Sequence, residues 1–146
     1  MLALTTIGTS GRDLRGFVEA LRGAAVDWVI DVRLRNTSQL AGYARGPDLE
    51  FLLTELIGIT YLHVPMLAPT PEILDAFRAT RDWPAYERRF MELMRERNML
   101  NVAEAVTQDA RRPCLLCACA RPGHCHRRVI AEAMADARPG LRVEHL

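Results

Sequence analysis

The sequence predicts an α/β fold: a three-layer sandwich built on a mainly parallel five-stranded sheet, with helices on both faces and a helical insert. Three observations predict it. Short apolar runs alternate with helical patterns, the signature of successive βα units. Two of those runs, Trp28–Val32 and Cys114–Cys119, are apolar on both faces, as strands buried in a parallel sheet are. The chain of 146 residues is 49% hydrophobic and 25% charged, enough to fill one core, and it reads as a single domain over residues 1–146.

The elements follow in order. Leu2–Ile7 is the first strand, and the turn Gly8–Gly11 leaves it. Ser10 and Asp13 form a capping-box-like start to a helix whose inner face is Leu14, Phe17, Val18 and Leu21. Trp28–Val32 is the second strand, and the polar stretch Arg33–Gly46 reads as a ligand-covering loop or a dimer contact. Pro47 opens the next helix and Gly58 closes it. Ile59–Val64, ended by Pro65, is the third strand. Helix starts at Thr70-Pro71 and Asp82-Trp83-Pro84, with a short helix around Val102–Val106, make the insert. Trp83 belongs to its packing. Cys114–Cys119 is the fourth strand, Arg127–Ala137 the last helix, and Leu141–Leu146 the last strand.

Charge and composition narrow the function. The formal net charge is +1, so the whole molecule exerts no strong pull on nucleic acid or membrane. No apolar run reaches membrane-spanning length. All 19 basic residues are arginine, which removes Schiff-base chemistry on a lysine of this chain. Met1 leads into Leu2–Ile7 without the basic start or cleavage site of a signal peptide, so a reducing cytoplasm is expected. There the four cysteines are thiols or metal ligands rather than a disulfide framework.

Ligands of open parallel sheets bind beyond the carboxyl ends of the strands. Four connections deliver polar groups to that edge: Thr6 with the Gly8–Ser10 turn, Asp31 with Arg33, His63, and Cys117 and Cys119 followed by Cys125, His126 and Arg127. Cys125 at a helix start beside arginine is placed to have a lowered thiol pKa. Cys125 or Cys117 is the candidate reactive thiol, His126 or His63 the proton carrier, and Asp31 a further catalytic candidate. Arg33, Arg127, Thr6 and the free N–H groups of Gly8–Ser10 are candidates for holding an anion. Asp31–Arg33 reads equally as a strand-end salt bridge, and His63 as a satisfied histidine. Cys114 faces away from Cys117 and reads as a small buried hydrophobe. His145 reads as structural.

Two rival uses stay open. Cys117, Cys119, Cys125 and His126 could form a Cys3His site for zinc or another transition metal. Arg33, Arg35, Arg45, Arg121, Arg127 and Arg128 could form one basic face for nucleic acid. A phosphatase loop is excluded, because no arginine stands six residues past any cysteine.

Thr6-Ile7-Gly8-Thr9-Ser10, Asp31-Val32-Arg33, Tyr61-Leu62-His63-Val64-Pro65, and Leu115-Leu116-Cys117 followed by Cys125-His126-Arg127 together resemble the family named domain of unknown function 488. Asn36–Gly42, Leu67–Thr70 and the ending Val143–Leu146 match one branch of it. The resemblance covers nearly the whole chain and implies the same α/β fold, without an activity. The family usually carries glutamate where this chain has Cys119. If that carboxylate were an acid or base, this chain would be altered; if it were a ligand, a softer metal would be implied. The reading that results is a small cytoplasmic enzyme acting on an anionic ligand, a nucleotide or nucleic-acid end, through a Cys/His/Arg site.

Overall fold

The computed structural model describes residues 1–37 and 42–146; part of the Asn36–Gly42 motif and of the Arg33–Gly46 loop lies outside the described residues. Five strands form one sheet: β1 (Leu4–Gly8), β2 (Trp28–Asp31), β3 (Thr60–His63), β4 (Pro113–Cys117) and β5 (Val143–His145). Their order is β3-β2-β4-β1-β5, and every pairing is parallel. Six α-helices accompany them: α1 (Leu14–Gly23), α2 (Gly46–Phe51), α3 (Pro71–Thr80), α4 (Trp83–Glu96), α5 (Met99–Thr107) and α6 (His126–Ala137).

Handedness explains the layering. Parallel strands are joined by right-handed crossovers, so connections running in opposite directions along the sheet must lie on opposite faces. The chain moves one way from β1 to β2 to β3, and α1 and α2 pack together on one face through Phe17, Leu21, Leu49 and Leu53. It returns from β3 to β4 and on to β5, and the helices of that half cover the other face through Ile73, Phe90, Met99 and Ile130. β4 therefore lies between β1 and β2, and its carboxyl end opens at the point where the winding reverses. Side chains alternate accordingly: Val29, Cys114 and Leu116 enter the first core, and Ile30, Leu115 and Cys117 the second.

Local signals fix most boundaries. Thr70 and Asp82 cap α3 and α4, their side chains accepting from the Ile73 and Ala85 amides. α1 differs from expectation: Asp13, not Ser10, is the cap, and Asp13 Oδ1 accepts from the Gly16 amide at 2.8 Å. Ser10 lies three residues before that cap, in the turn where its amide donates to the Ala118 carbonyl and continues the β1–β4 ladder past the strand ends. α2 runs into a wider π turn, Leu52–Leu56, in which the Ile57 amide reaches back to Leu52. β4 stops at Cys117, so Cys119 belongs to the following loop rather than to the strand. Trp83 packs as expected, stacked on Tyr86 and on His124, and so ties the loop before α6 to the insert. No helix among the described residues is long and apolar enough to cross a membrane.

One glycine is dictated by this arrangement. A Cβ on Gly8 would stand 1.8 Å from the Cys119 carbonyl oxygen and 3.0 Å from Arg127 Nη1. The loop after β4 thus lies directly on β1. Gly8→Ala should destabilise the fold by about 1–3 kcal/mol, the usual cost of overpacking. Gly23→Ala, at a helical position where nothing lies within 4 Å, should be neutral or stabilising by up to about 1 kcal/mol. Denaturant unfolding of the two variants against the parent checks both.

Candidate functional site

β4 delivers Cys117 to the sheet edge, the loop delivers Cys119, and the first residues of α6 return Cys125 and His126 to the same place. The ligand atoms of Cys117, Cys125 and His126, all buried, lie within 4.8 Å of one another. These are the residues with the donor set to hold a metal ion. Cys119 stands beside this triangle, and its thiol interacts with both Cys117 and Cys125.

Hydrogen bonding sets the electronic state of the cluster. His126 Nε2 lies 2.7 Å from the Val32 carbonyl oxygen. A carbonyl only accepts, so Nε2 carries a proton and Nδ1 is the nitrogen left for the sulfurs. Cys117 is held well below the ordinary thiol range, because the Cys119 and Cys125 thiols donate to it and His126 adds to the effect. Cys119 and Cys125 move the other way, up, because each keeps its proton while donating toward the Cys117 sulfur. The lowered thiol expected at Cys125 is therefore found at Cys117: hydrogen bonding within the cluster outweighs the position of Cys125 at the α6 N-terminus. Burial pulls His126 down, but the Cys117 sulfur more than offsets it and the net direction is up. Cys114, on the other face, has its thiol pushed up to about 12 by burial, as a small core residue should.

The cluster floors a cavity of about 410 Å³. Its wall includes Thr9, Ser10 and Gly11 after β1, Arg33 and Arg35 after β2, and Arg78 and Arg81 of the insert. Phe77, Tyr86 and His124 add an aromatic side. Among the described residues, four arginines and no carboxylate line it. Sequence reasoning missed Arg78, Arg81 and this aromatic side. The signal was present as Phe77-Arg78 on one helix, but only the tertiary fold brings the insert over the sheet edge.

Arg33 is the best-defined arginine. Asp31 holds it by two parallel bonds, Nε to Oδ1 at 2.8 Å and Nη2 to Oδ2 at 2.7 Å, and both residues are buried. Asp31 also accepts from the Arg33 amide, Asn36 and the Tyr61 hydroxyl. His63 Nε2 lies 2.8 Å from the Arg33 carbonyl oxygen. Asp31 and His63 thus hold Arg33 by hydrogen bonds and stand outside the lining of the cavity. Arg33 Nη1 is buried without a hydrogen-bond partner among the described residues.

Arg127 and Thr6 lie behind the cluster. Arg127 is fully buried; its Nε donates to Thr6 Oγ1 at 3.2 Å, and its Nη1 to the Cys119 carbonyl at 2.5 Å and Cys125 Sγ at 3.6 Å. Thr6 Oγ1 is also 2.7 Å from His145 Nδ1, which gives His145 the structural part expected of it. Thr6 and Arg127 are therefore engaged with each other beneath the floor. The amides of Thr9 and Ser10 are taken by the carbonyls of Cys117 and Ala118, and Gly8 makes the close approach, so the turn does not offer the free N–H row expected. Five of the six arginines expected to form one basic face are buried or paired with a carboxylate. Arg33 and Arg127 are buried, Arg35 and Arg45 pair with Asp75 and Asp48, and Arg128 pairs with Glu87 and Glu132.

The model of the family described as domain of unknown function DUF488 matches residues 13–134. Neither curated proteins nor solved structures give a match to the chain. The matched span holds Asp31, Arg33, His63 and the whole Cys117–Arg127 cluster, so the fold and the cluster just described are those of a chain that belongs to the DUF488 family.

Proposed function

We propose that this protein is an enzyme that binds a small anionic ligand in the sheet-edge cavity and acts on it through the sulfur and imidazole groups of the floor. The observation that carries the reading is Arg33 Nη1, a buried guanidinium N–H without a partner on a residue of the cavity wall. Leaving such a donor unsatisfied costs about 1–3 kcal/mol, and an anionic oxygen would recover it. The wall favours that charge, since its charged side chains among the described residues are all arginines. In this reading Arg33 anchors the anion, with Arg78 and Arg81 nearer the opening. Cys117, Cys125 and His126 carry the chemistry, with Ser10 and Cys119 as neighbours of the ligand. Asp31, His63, Thr6, Gly8 and Arg127 hold these groups in place.

The aromatic side formed by Phe77, Tyr86 and His124 supports a ligand with a flat apolar part, which a nucleotide has. A cavity of this volume favours a small molecule or a strand end over a duplex groove. All four cysteines are free thiols, the state that a reducing cytoplasm maintains, and this supports a cytoplasmic location.

Calorimetric titration of chelator-treated protein with inorganic phosphate and with a nucleoside monophosphate tests the reading. Saturable binding is expected, and Arg33→Gln should weaken it by about 10-fold or more, the worth of one charge-assisted hydrogen bond. Absence of binding of either probe, or equal binding by Arg33→Gln, would count against it. Asp31→Asn should lower affinity as well, because Arg33 loses its fixed orientation. It should also destabilise the fold by about 3–5 kcal/mol, the cost of breaking a buried ion pair from one side; a denaturant midpoint measures the second effect. Iodoacetamide labelling followed by peptide mass analysis supplies a third check. Bound anion should slow labelling of Cys117 and Cys119 while Cys114 stays unlabelled throughout.

A further inference from the structure

We propose that Cys117, Cys125 and His126 form a binding site for a zinc-class transition-metal ion, with the fourth coordination position facing the cavity beside Cys119. This specifies how the floor of the anion pocket works, but it stands on different observations.

The first is distance. Zinc binds thiolate sulfur at about 2.3 Å and imidazole nitrogen at about 2.0–2.1 Å, so neighbouring ligand atoms of a tetrahedron are roughly 3.5–3.8 Å apart. The three ligand atoms here already lie within 4.8 Å of one another, on the rigid end of β4 and the first turn of α6. Side-chain rotations of a fraction of an ångström to about one ångström close the difference.

The second is the orientation of His126. Its Nε2–H is fixed on the Val32 carbonyl at 2.7 Å, in a part of the fold where the ring is buried. Metal-bound histidines are held in this way, one ring nitrogen donating to a carbonyl while the other carries the metal. That leaves Nδ1 on the side of the sulfurs.

The third is charge. Arg127 is fully buried and its hydrogen-bond partners are a hydroxyl, a carbonyl and Cys125 Sγ. No carboxylate pairs with it among the described residues, and its Nη2 has no partner. A buried guanidinium in that position requires a nearby negative charge. Of the groups it touches, only the Cys125 sulfur can carry one. With two thiolates and His126 the metal is neutral, and a ligand oxygen at the fourth position supplies the charge. The donor set of sulfur and imidazole favours zinc, cobalt or copper over magnesium or calcium.

Full-length protein, stripped with chelator under reductant, is titrated with Co2+ and then Zn2+. One equivalent of cobalt should give thiolate-to-metal charge-transfer absorption and intense tetrahedral visible bands, and one equivalent of zinc should bleach them. Cys117→Ser and Cys125→Ser should each weaken cobalt binding by more than the roughly 10–100-fold that loss of an outer-shell partner costs. Cys114→Ala should leave the bands unchanged. Because a serine variant can fail to fold, the parent protein supplies a second readout: zinc should shield Cys117, the thiolate that lines the cavity, from iodoacetamide. No charge-transfer band at stoichiometric cobalt overturns the proposal. So does zinc that leaves the labelling of Cys117 unchanged. Arg33→Gln separates this site from the anion pocket, since it should lose phosphate binding and keep the cobalt spectrum.

Discussion

The burial of Arg127 is the constraint on which the rest of the site depends. One guanidinium reaches the β1 hydroxyl of Thr6, the backbone of the loop after β4 at Cys119, and the sulfur of Cys125. It thereby joins β1, the loop and the last helix at a single buried point. A charged group in that position costs several kcal/mol unless its surroundings repay it. The surroundings are correspondingly restricted. Gly8 must lack a side chain so that the Cys119 carbonyl can approach, and the Thr6 hydroxyl must be spared for hydrogen bonding. The sulfurs on the floor are then held between this cation below and an arginine-lined cavity above.

A second arginine solves the same problem differently. Arg33 is buried with its own carboxylate, and Asp31 accepts from five donors in all, including Tyr61 and Asn36. That pair is electrically neutral as a unit and keeps one N–H, Nη1, uncommitted. The two arginines therefore play opposite parts around one cluster. Arg33 offers a directed donor with its charge already compensated by protein; Arg127 offers charge whose compensation must come from sulfur or from what sulfur binds. A site with both can hold an anion on one side and keep thiolates ionised on the other.

Much of this was legible in the sequence. Periodicity and turn residues identified all five strands and the insert, because strands buried on both faces and helices capped by Thr70 or Asp82 carry local signals. The convergence of Cys117, Cys125 and His126 was legible too, since strand carboxyl ends meet at one edge of a parallel sheet. What escaped was the depth of each residue. Sequence cannot distinguish a polar side chain that lines a cavity from one that lies beneath it. Thr6, Asp31, His63 and Arg127 stand outside the cavity lining, whereas Arg78, Arg81 and Tyr86, from an insert that looked like ordinary core, reach the wall. The distinction rests on long-range contacts, as when Asp31 meets Tyr61 thirty residues away.

The string Cys114-Leu115-Leu116-Cys117 states the same point within one strand. Its two cysteines are identical in chemistry and three residues apart, so the alternation of a strand sends them to opposite faces. Cys114 enters the core with α1 and α2, where Phe17, Leu53 and Leu116 surround it and burial makes its proton hard to remove. Cys117, the last residue of the strand, turns toward the reversal point of the winding, where two thiols donate to it and an imidazole adds to their effect. The switch from inert to ionisable sulfur needs no change of residue type. It needs only an odd spacing and a strand that ends where the sheet opens. For that reason the register of β4 against β1, fixed by Gly8 opposite Cys117, is as much a part of the site as the sulfurs themselves. A one-residue slip would send Cys117 into the core beneath α1 and α2 and turn the apolar Leu116 toward the cavity.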